Sequence, residues 1–232
     1  MEQTGGWIDT RAARVGGVLA LLGAVLGLLA RRYDSFLGDE WVAARLRSLG
    51  AAFEPVADVF NEGDRFIAAA VLGGLVAGLV ARRRVHLALL VALAVVVRPL
   101  LTAVKQLVDR PRPSGAFEPL DVVTNSSFPS GHTMTSALLF GLLFVLAAEV
   151  VPRRWVWPVR VVAVAAVGLT AASRIWAGVH WPSDTYGALV WSGALMALVL
   201  ALRPAASRFC GWSERWWIAR VRRQPSETTV GR

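Results

Sequence analysis

Three short stretches hold most of the side chains able to do chemistry: KQLVDRPRP at 105–113, FPSGH at 128–132 and SRIWAGVHWPSD at 173–184. Two of the chain's three histidines, His132 and His180, lie in them, as do its one lysine, Lys105, and Arg112 and Arg174. A histidine can take up or give a proton near neutral pH. Arginine and lysine hold anionic oxygens, arginine through a planar fork that suits phosphate. Pro129 and Gly131 interrupt the backbone just before an apolar run. The N–H groups of a helix start are thereby offered to an anion, with Ser130 as cap and Gly131 permitting close backbone approach. Pro182 suits the first helical position of the next run, which puts Asp184 in the first turn. There its carboxylate reaches back towards His180 and complements the helix dipole. An aspartate that fixes the tautomer of a histidine is the orienting half of a triad. Taken singly, each stretch also reads as snorkelling bases or a plain helix cap. Convergence separates the two readings.

The elements that must bring them together are apolar. Of 232 residues 55% are hydrophobic and 18% charged, whereas soluble domains carry about a quarter charged residues. Six apolar segments stand out, at Val15–Ala30, Phe66–Ala81, Val85–Val104, Met134–Val151, Trp155–Ala172 and Tyr186–Leu202. At about 1.5 Å per residue even the shortest covers roughly 24 Å of a roughly 30 Å hydrocarbon core. The expected fold is all-α: a polytopic membrane bundle of six transmembrane helices in one domain, residues 1–232. The first span ends in Ala30-Arg31-Arg32 rather than a small-residue cleavage site, so it reads as a retained span and not a signal peptide. Ten tryptophans suit the bilayer–water interfaces.

The formal charge is +9. The arginines cluster beside apolar runs, as in Arg82-Arg83-Arg84 and Arg153-Arg154, which is the flanking pattern of membrane spans and argues against a nucleic-acid partner. With six spans, the N-terminus, the 82–84 and 152–160 turns and the tail share one side and hold fifteen arginines. The positive-inside rule puts that side, and both termini, in the cytoplasm. The 31–65 connection then faces outward, with five arginines against seven acids. Within it Val42, Leu46, Leu49 and Phe53 recur at helical spacing, which predicts an interfacial helical segment over about 41–60, either a lipid-access element or a lid. Trp212–Arg223 reads as an anchor at the inner surface. One cysteine, Cys210, excludes an intrachain disulfide and a cysteine metal cage.

In this topology the 105–132 and 173–184 loops share one membrane face, so Lys105, Arg112, His132, Arg174, His180 and Asp184 gather at span ends of one depth. Three bases, two histidines and a carboxylate there make a phosphate site with acid–base groups. The pattern resembles the type 2 phosphatidic acid phosphatase family of integral membrane lipid phosphatases, whose signature is K-x6-RP, PSGH and SR-x5-H-x3-D. Lys105 with Arg112-Pro113, Pro129 to His132, and Ser173-Arg174 with His180 and Asp184 match it without substitution. The resemblance implies that His180 is a nucleophile forming a phosphohistidine. Asp184 would orient it, and His132 would protonate the leaving oxygen and then activate water. It also implies that Lys105, Arg112, Arg174, Ser130 and Gly131 hold the phosphate, with no metal and no cofactor.

The expectation is a hydrolase of the cell membrane, its site on the outer face. Its partners are the bilayer and a lipid phosphate: phosphatidic acid, phosphatidylglycerol phosphate or a polyprenyl diphosphate. A lipid phosphotransferase using the same site is the alternative. A transporter would spread its charges along the spans, whereas here only Arg98 lies deeper. Arg98 either reaches the site from below or pairs inside the bundle. Arg110 suits either a second phosphate or a pairing with Asp109. Asp121 stands isolated, and His86 reads as an interface residue of the inner side. Oligomeric state has no signature in the sequence.

Overall fold

The computed structural model describes residues 6–61, 64–113 and 126–211. Among them there are helices and no strands. In chain order these are α1 (Thr10–Arg32), α2 (Asp39–Arg47), a 3-10 turn (Gly50–Phe53), α3 (Glu54–Asn61), α4 (Asp64–Ala81), α5 (Val85–Val97), α6 (Leu100–Val108), α7 (Gly131–Val150), α8 (Arg153–Trp176) and α9 (Pro182–Leu200). Among the described residues five segments are long and apolar enough to cross a membrane: Thr10–Arg32, Val85–Val108, Gly131–Val150, Arg153–Trp176 and Pro182–Gly211. Phe66–Ala81, the sixth expected span, is a shorter apolar helix. The span expected at Val85–Val104 continues to Val108 and is broken at Arg98-Pro99, because proline cannot supply the N–H that a continuous helix needs there. Trp212–Arg223 and Asp121 lie outside the described residues.

Bundle packing follows from small residues and from leucine. Gly16, Gly23, Gly27 and Ala30 form the buried face of α1. A methyl group at Gly16 would stand 2.7 Å from Leu198, and one at Gly23 2.8 Å from the Trp191 ring, so glycine is what lets α1 lie close against α9. Leu75 and Leu79 of α4, Leu87 and Val91 of α5, and Leu138, Leu142 and Leu146 of α7 make the largest apolar cluster. Outward-facing residues are apolar too: Leu21 and Leu28 of α1 are each 69% exposed and Val96 74%. Such a surface suits hydrocarbon rather than water.

The interfacial segment is divided. α2 ends at Arg47, and Gly50, at a left-handed φ of +56°, opens the 3-10 turn, so two short helices joined by that turn replace a continuous one over 41–60. Phe53 meets the Trp176 ring at 6.0 Å between centroids, bringing this segment against the end of α8.

Candidate active site

Local rules place the third stretch. Pro182 opens α9, and Asp184, in its first turn, accepts the Trp181 backbone N–H at Oδ2 over 2.8 Å. The same oxygen lies 3.3 Å from His180 Nδ1. Asp184 is fully buried and His180 2% exposed. Because the carboxylate only accepts, Nδ1 carries the ring proton and the Nε2 lone pair stays available. Burial is the largest influence on His180 and, with the positive charges of Arg174 and Lys105, brings its pKa to about 4 against the opposing pull of Asp184. The ring is neutral over the physiological range.

The other two stretches are tied to this pair. The Ser130 N–H donates to the Asp184 carbonyl oxygen (3.1 Å), joining the start of α7 to the start of α9. Ser130 is the N-cap of α7 by position, but its hydroxyl accepts from Thr133 Oγ1 (3.0 Å) instead of capping a backbone N–H. Gly131 opens the helix with no heavy atom within 4 Å of the place where a Cβ would stand. Arg112 Nη1 donates to the Val179 carbonyl (2.8 Å), while its Nε is buried without a hydrogen-bond partner among the described residues. Burial draws the Arg112 pKa below its ordinary value, with Asp184 opposing. Lys105 is within electrostatic reach of Arg112, Asp184, Arg174 and Arg98, so the cations of α6, its following loop and α8 surround one space. His132, in the first turn of α7, lines an apolar cleft with Phe60, Ile67 and Leu139. All eight expected site residues therefore sit at one end of the bundle around the starts of α7 and α9. Among the described residues no group of three or more His, Cys, Asp or Glu side chains could hold a metal ion.

Arg98 is paired inside the bundle and also reaches the site from beneath, donating to Thr135 Oγ1 (2.6 Å) and to the Gly131 carbonyl (3.3 Å) at the start of α7. Arg110 neither pairs with Asp109 nor reaches for a second phosphate. It is 1% exposed, and its guanidinium bonds Asp184, Ser183, Asp39 and the Asp34 carbonyl. Asp39, Ser183 and this use of Arg110 went unseen in the sequence, since they join residues 71 to 144 positions apart. The one local signal was the doubled arginine of RPRP.

The profile of the family described as the PAP2 superfamily matches residues 83–208. Phosphatidylglycerophosphatase B of Escherichia coli strain K12 is 39% identical over 92 residues, and the same holds for its counterpart in Shigella flexneri. That stretch covers 38% of this chain but only 32% of either relative, so the match spans about a third of their length. The crystal structure of a transmembrane PAP2 type phosphatidylglycerolphosphate phosphatase from Bacillus subtilis superposes with a TM-score of 0.63. The superposition covers 86% of this chain and 96% of that one, at 21% identity.

Proposed function

The chain belongs to the PAP2 superfamily, and on that premise we propose that it is a membrane lipid phosphate phosphatase working through a phosphohistidine on His180. The observation that carries this reading is the His180–Asp184 pair: Nδ1 faces the carboxylate at 3.3 Å, which leaves Nε2 as a neutral nucleophile near Lys105 and Arg174, with Arg112 bonded to the adjacent Val179 carbonyl. In the first step Nε2 attacks phosphorus as the bond to the lipid oxygen breaks, and His132 gives that oxygen its proton. The phosphorylated ring is cationic, and Asp184 stabilises it. In the second step His132 takes a proton from water, whose oxygen attacks phosphorus, and inorganic phosphate leaves with Nε2 restored. The three cations, the Ser130 hydroxyl and the Gly131 amide offset the charge on the equatorial oxygens, so no metal is required.

A lipid substrate is favoured by a cleft of about 330 Å³ lined by Ala68, Leu72, Val95, Leu138 and Leu139, with Arg98 and Thr135 at its polar part. It adjoins the cleft that His132 lines, sharing Ala68, Thr135 and Leu139 with it. The names of the relatives favour phosphatidylglycerol phosphate over phosphatidic acid and polyprenyl diphosphate. Phe66–Ala81 is the sixth span, both termini are cytoplasmic, and the site opens at the outer face of the cell membrane, as the arginine distribution supports.

The test is phosphate release by purified protein in detergent with excess EDTA, over the three lipid phosphates, for wild type and His180→Ala. Chelator-resistant release on phosphatidylglycerol phosphate, lost in the variant, is expected. Inactivity of the wild type on all three would favour transfer to another acceptor, and full activity of His180→Ala would refute the nucleophile.

A further inference from the structure

Asp184 has two oxygens and uses them differently. Oδ2 takes the His180 and Trp181 contacts, while Oδ1 accepts from Arg110 Nη1 at 2.5 Å. Arg110 is held in turn on every side. Nη1 also donates to Ser183 Oγ (2.8 Å), Nη2 to Asp39 Oδ2 (3.3 Å) and Nε to the Asp34 carbonyl (3.2 Å), and the Phe36 ring lies 4.9 Å from the guanidinium carbon. Asp39, in the first turn of α2, is saturated. Its Oδ1 accepts the Ser183 N–H (2.9 Å), and its Oδ2 accepts from the Ser183 hydroxyl, Arg110 and the Phe36 N–H (2.8 Å). Exposure is 1% for Arg110, 4% for Asp39 and none for Asp184.

We propose that Arg110 and Asp39 are positioning residues for the phosphoryl-transfer step: Arg110 clamps one oxygen of Asp184 so that the other is presented to His180, and Asp39 fixes Arg110 and sets the charge of the cluster. This rests on the assignment of His180 as nucleophile. Charge shows why two carboxylates are needed. Arg110 alone would neutralise Asp184 and weaken its hold on a cationic ring. Asp39 restores a single excess negative charge, which is cancelled when His180 turns cationic on forming its bond to phosphorus. A guanidinium is needed as well, because one ammonium cannot span Asp39, Ser183 and Asp184 in a plane. The α2 segment, which belongs to the 31–65 connection, is thereby fastened to the active site through one buried aspartate.

The test measures kcat and KM per folded protein in detergent, with phosphatidylglycerol phosphate and phosphatidic acid as substrates and thermal unfolding followed in parallel. The variants are Arg110→Lys, Arg110→Met, Asp39→Asn and His180→Ala. The expected result is loss of turnover in His180→Ala, with kcat in Asp39→Asn and Arg110→Lys lowered about 10- to 100-fold. KM would stay within about twofold, because neither residue faces the phosphate, and Lys would recover part of what Met loses. Should Arg110→Met fail to fold, the Lys and Asn variants decide. Wild-type kcat per folded protein in both, with His180→Ala inactive, would overturn the positioning role alone. A rise in KM at constant kcat would overturn it in favour of substrate binding. Full activity of His180→Ala would remove the nucleophile assignment and this proposal with it.

Discussion

Arg112 Nη1 donates to the carbonyl of Val179 over 2.8 Å, tying the loop after α6 to the residue directly before His180. Arg112 therefore faces two ways: one arm sets the position of the His180 loop, and its buried Nε has no partner among the described residues. A phosphate oxygen would satisfy that nitrogen. Charge-assisted hydrogen bonds contribute about 1.5–3 kcal/mol each. Arg112→Lys keeps the charge and loses the fork, so the inhibition constant for inorganic phosphate or vanadate should rise about 10- to 100-fold. Inhibition titrations against wild type check this; an unchanged constant would place the phosphate elsewhere.

His180 should stay neutral far below the ordinary histidine range. Free histidine titrates near 6.5, whereas burial brings this ring to about 4. Between those values the unfolded chain takes up a proton here that the folded protein refuses. Stability from this group is thus complete above the unfolded value and declines as pH falls through the window, by up to about 1.4 kcal/mol per unit. Nitrogen chemical shifts of ¹⁵N-histidine protein, assigned with His180→Gln, should show the Nδ1–H tautomer unchanged from pH 8 to 5. A midpoint near 6.5 would show the ring to be solvated.

Gly187 is the point where α9 meets the FPSGH stretch. A methyl group there would stand 2.3 Å from the fully buried Phe128 ring, which α1 and α6 also confine through Ala30 and Val108. Gly187→Ala should destabilise by about 1–3 kcal/mol, the usual cost of overpacking, and should reduce activity by shifting Ser130. Gly73→Ala in α4, with nothing within 4 Å, is the control and should unfold no earlier than wild type. Thermal unfolding of both in one detergent decides it.

The orientation can be read with thiols. Cys210 is the only cysteine, so Cys210→Ser gives a clean background. Leu37→Cys, at a fully exposed position between α1 and α2, should react with an impermeant maleimide in intact cells. Arg83→Cys, in the turn between α4 and α5, should react only after lysis. The reverse pattern would invert the proposed topology.

What was legible in the sequence was local or periodic. The reach of Asp184 back to His180 spans four residues, and Pro182 fixes the helix start that makes it possible, so spacing alone foretold the contact. The apolar runs foretold the long helices, because hydrocarbon tolerates little else. Pro99 carries the cause of the break in the third span, because it interrupts an apolar run that otherwise reads as one helix. Gly50 likewise split a segment whose apolar spacing suggested continuity, since periodicity reports a face and not the backbone angle at one glycine. The Asp39–Arg110–Asp184 chain was illegible for another reason. Its members come from α2, the loop after α6 and α9, and nothing in the spacing of the acids around Asp39 indicates which arginine it will meet.

In the proposed mechanism His180 carries the phosphoryl group between the two steps. The most direct test is to mix purified protein with ³²P-labelled phosphatidylglycerol phosphate, quench in alkali within the first turnover, and locate the label by peptide mass spectrometry. An acid-labile, base-stable phosphoryl group is expected on His180, absent from His180→Ala and longer-lived in His132→Ala, where the second step lacks its base. Label on another residue, or turnover in His180→Ala with no covalent intermediate in the wild type, would contradict it.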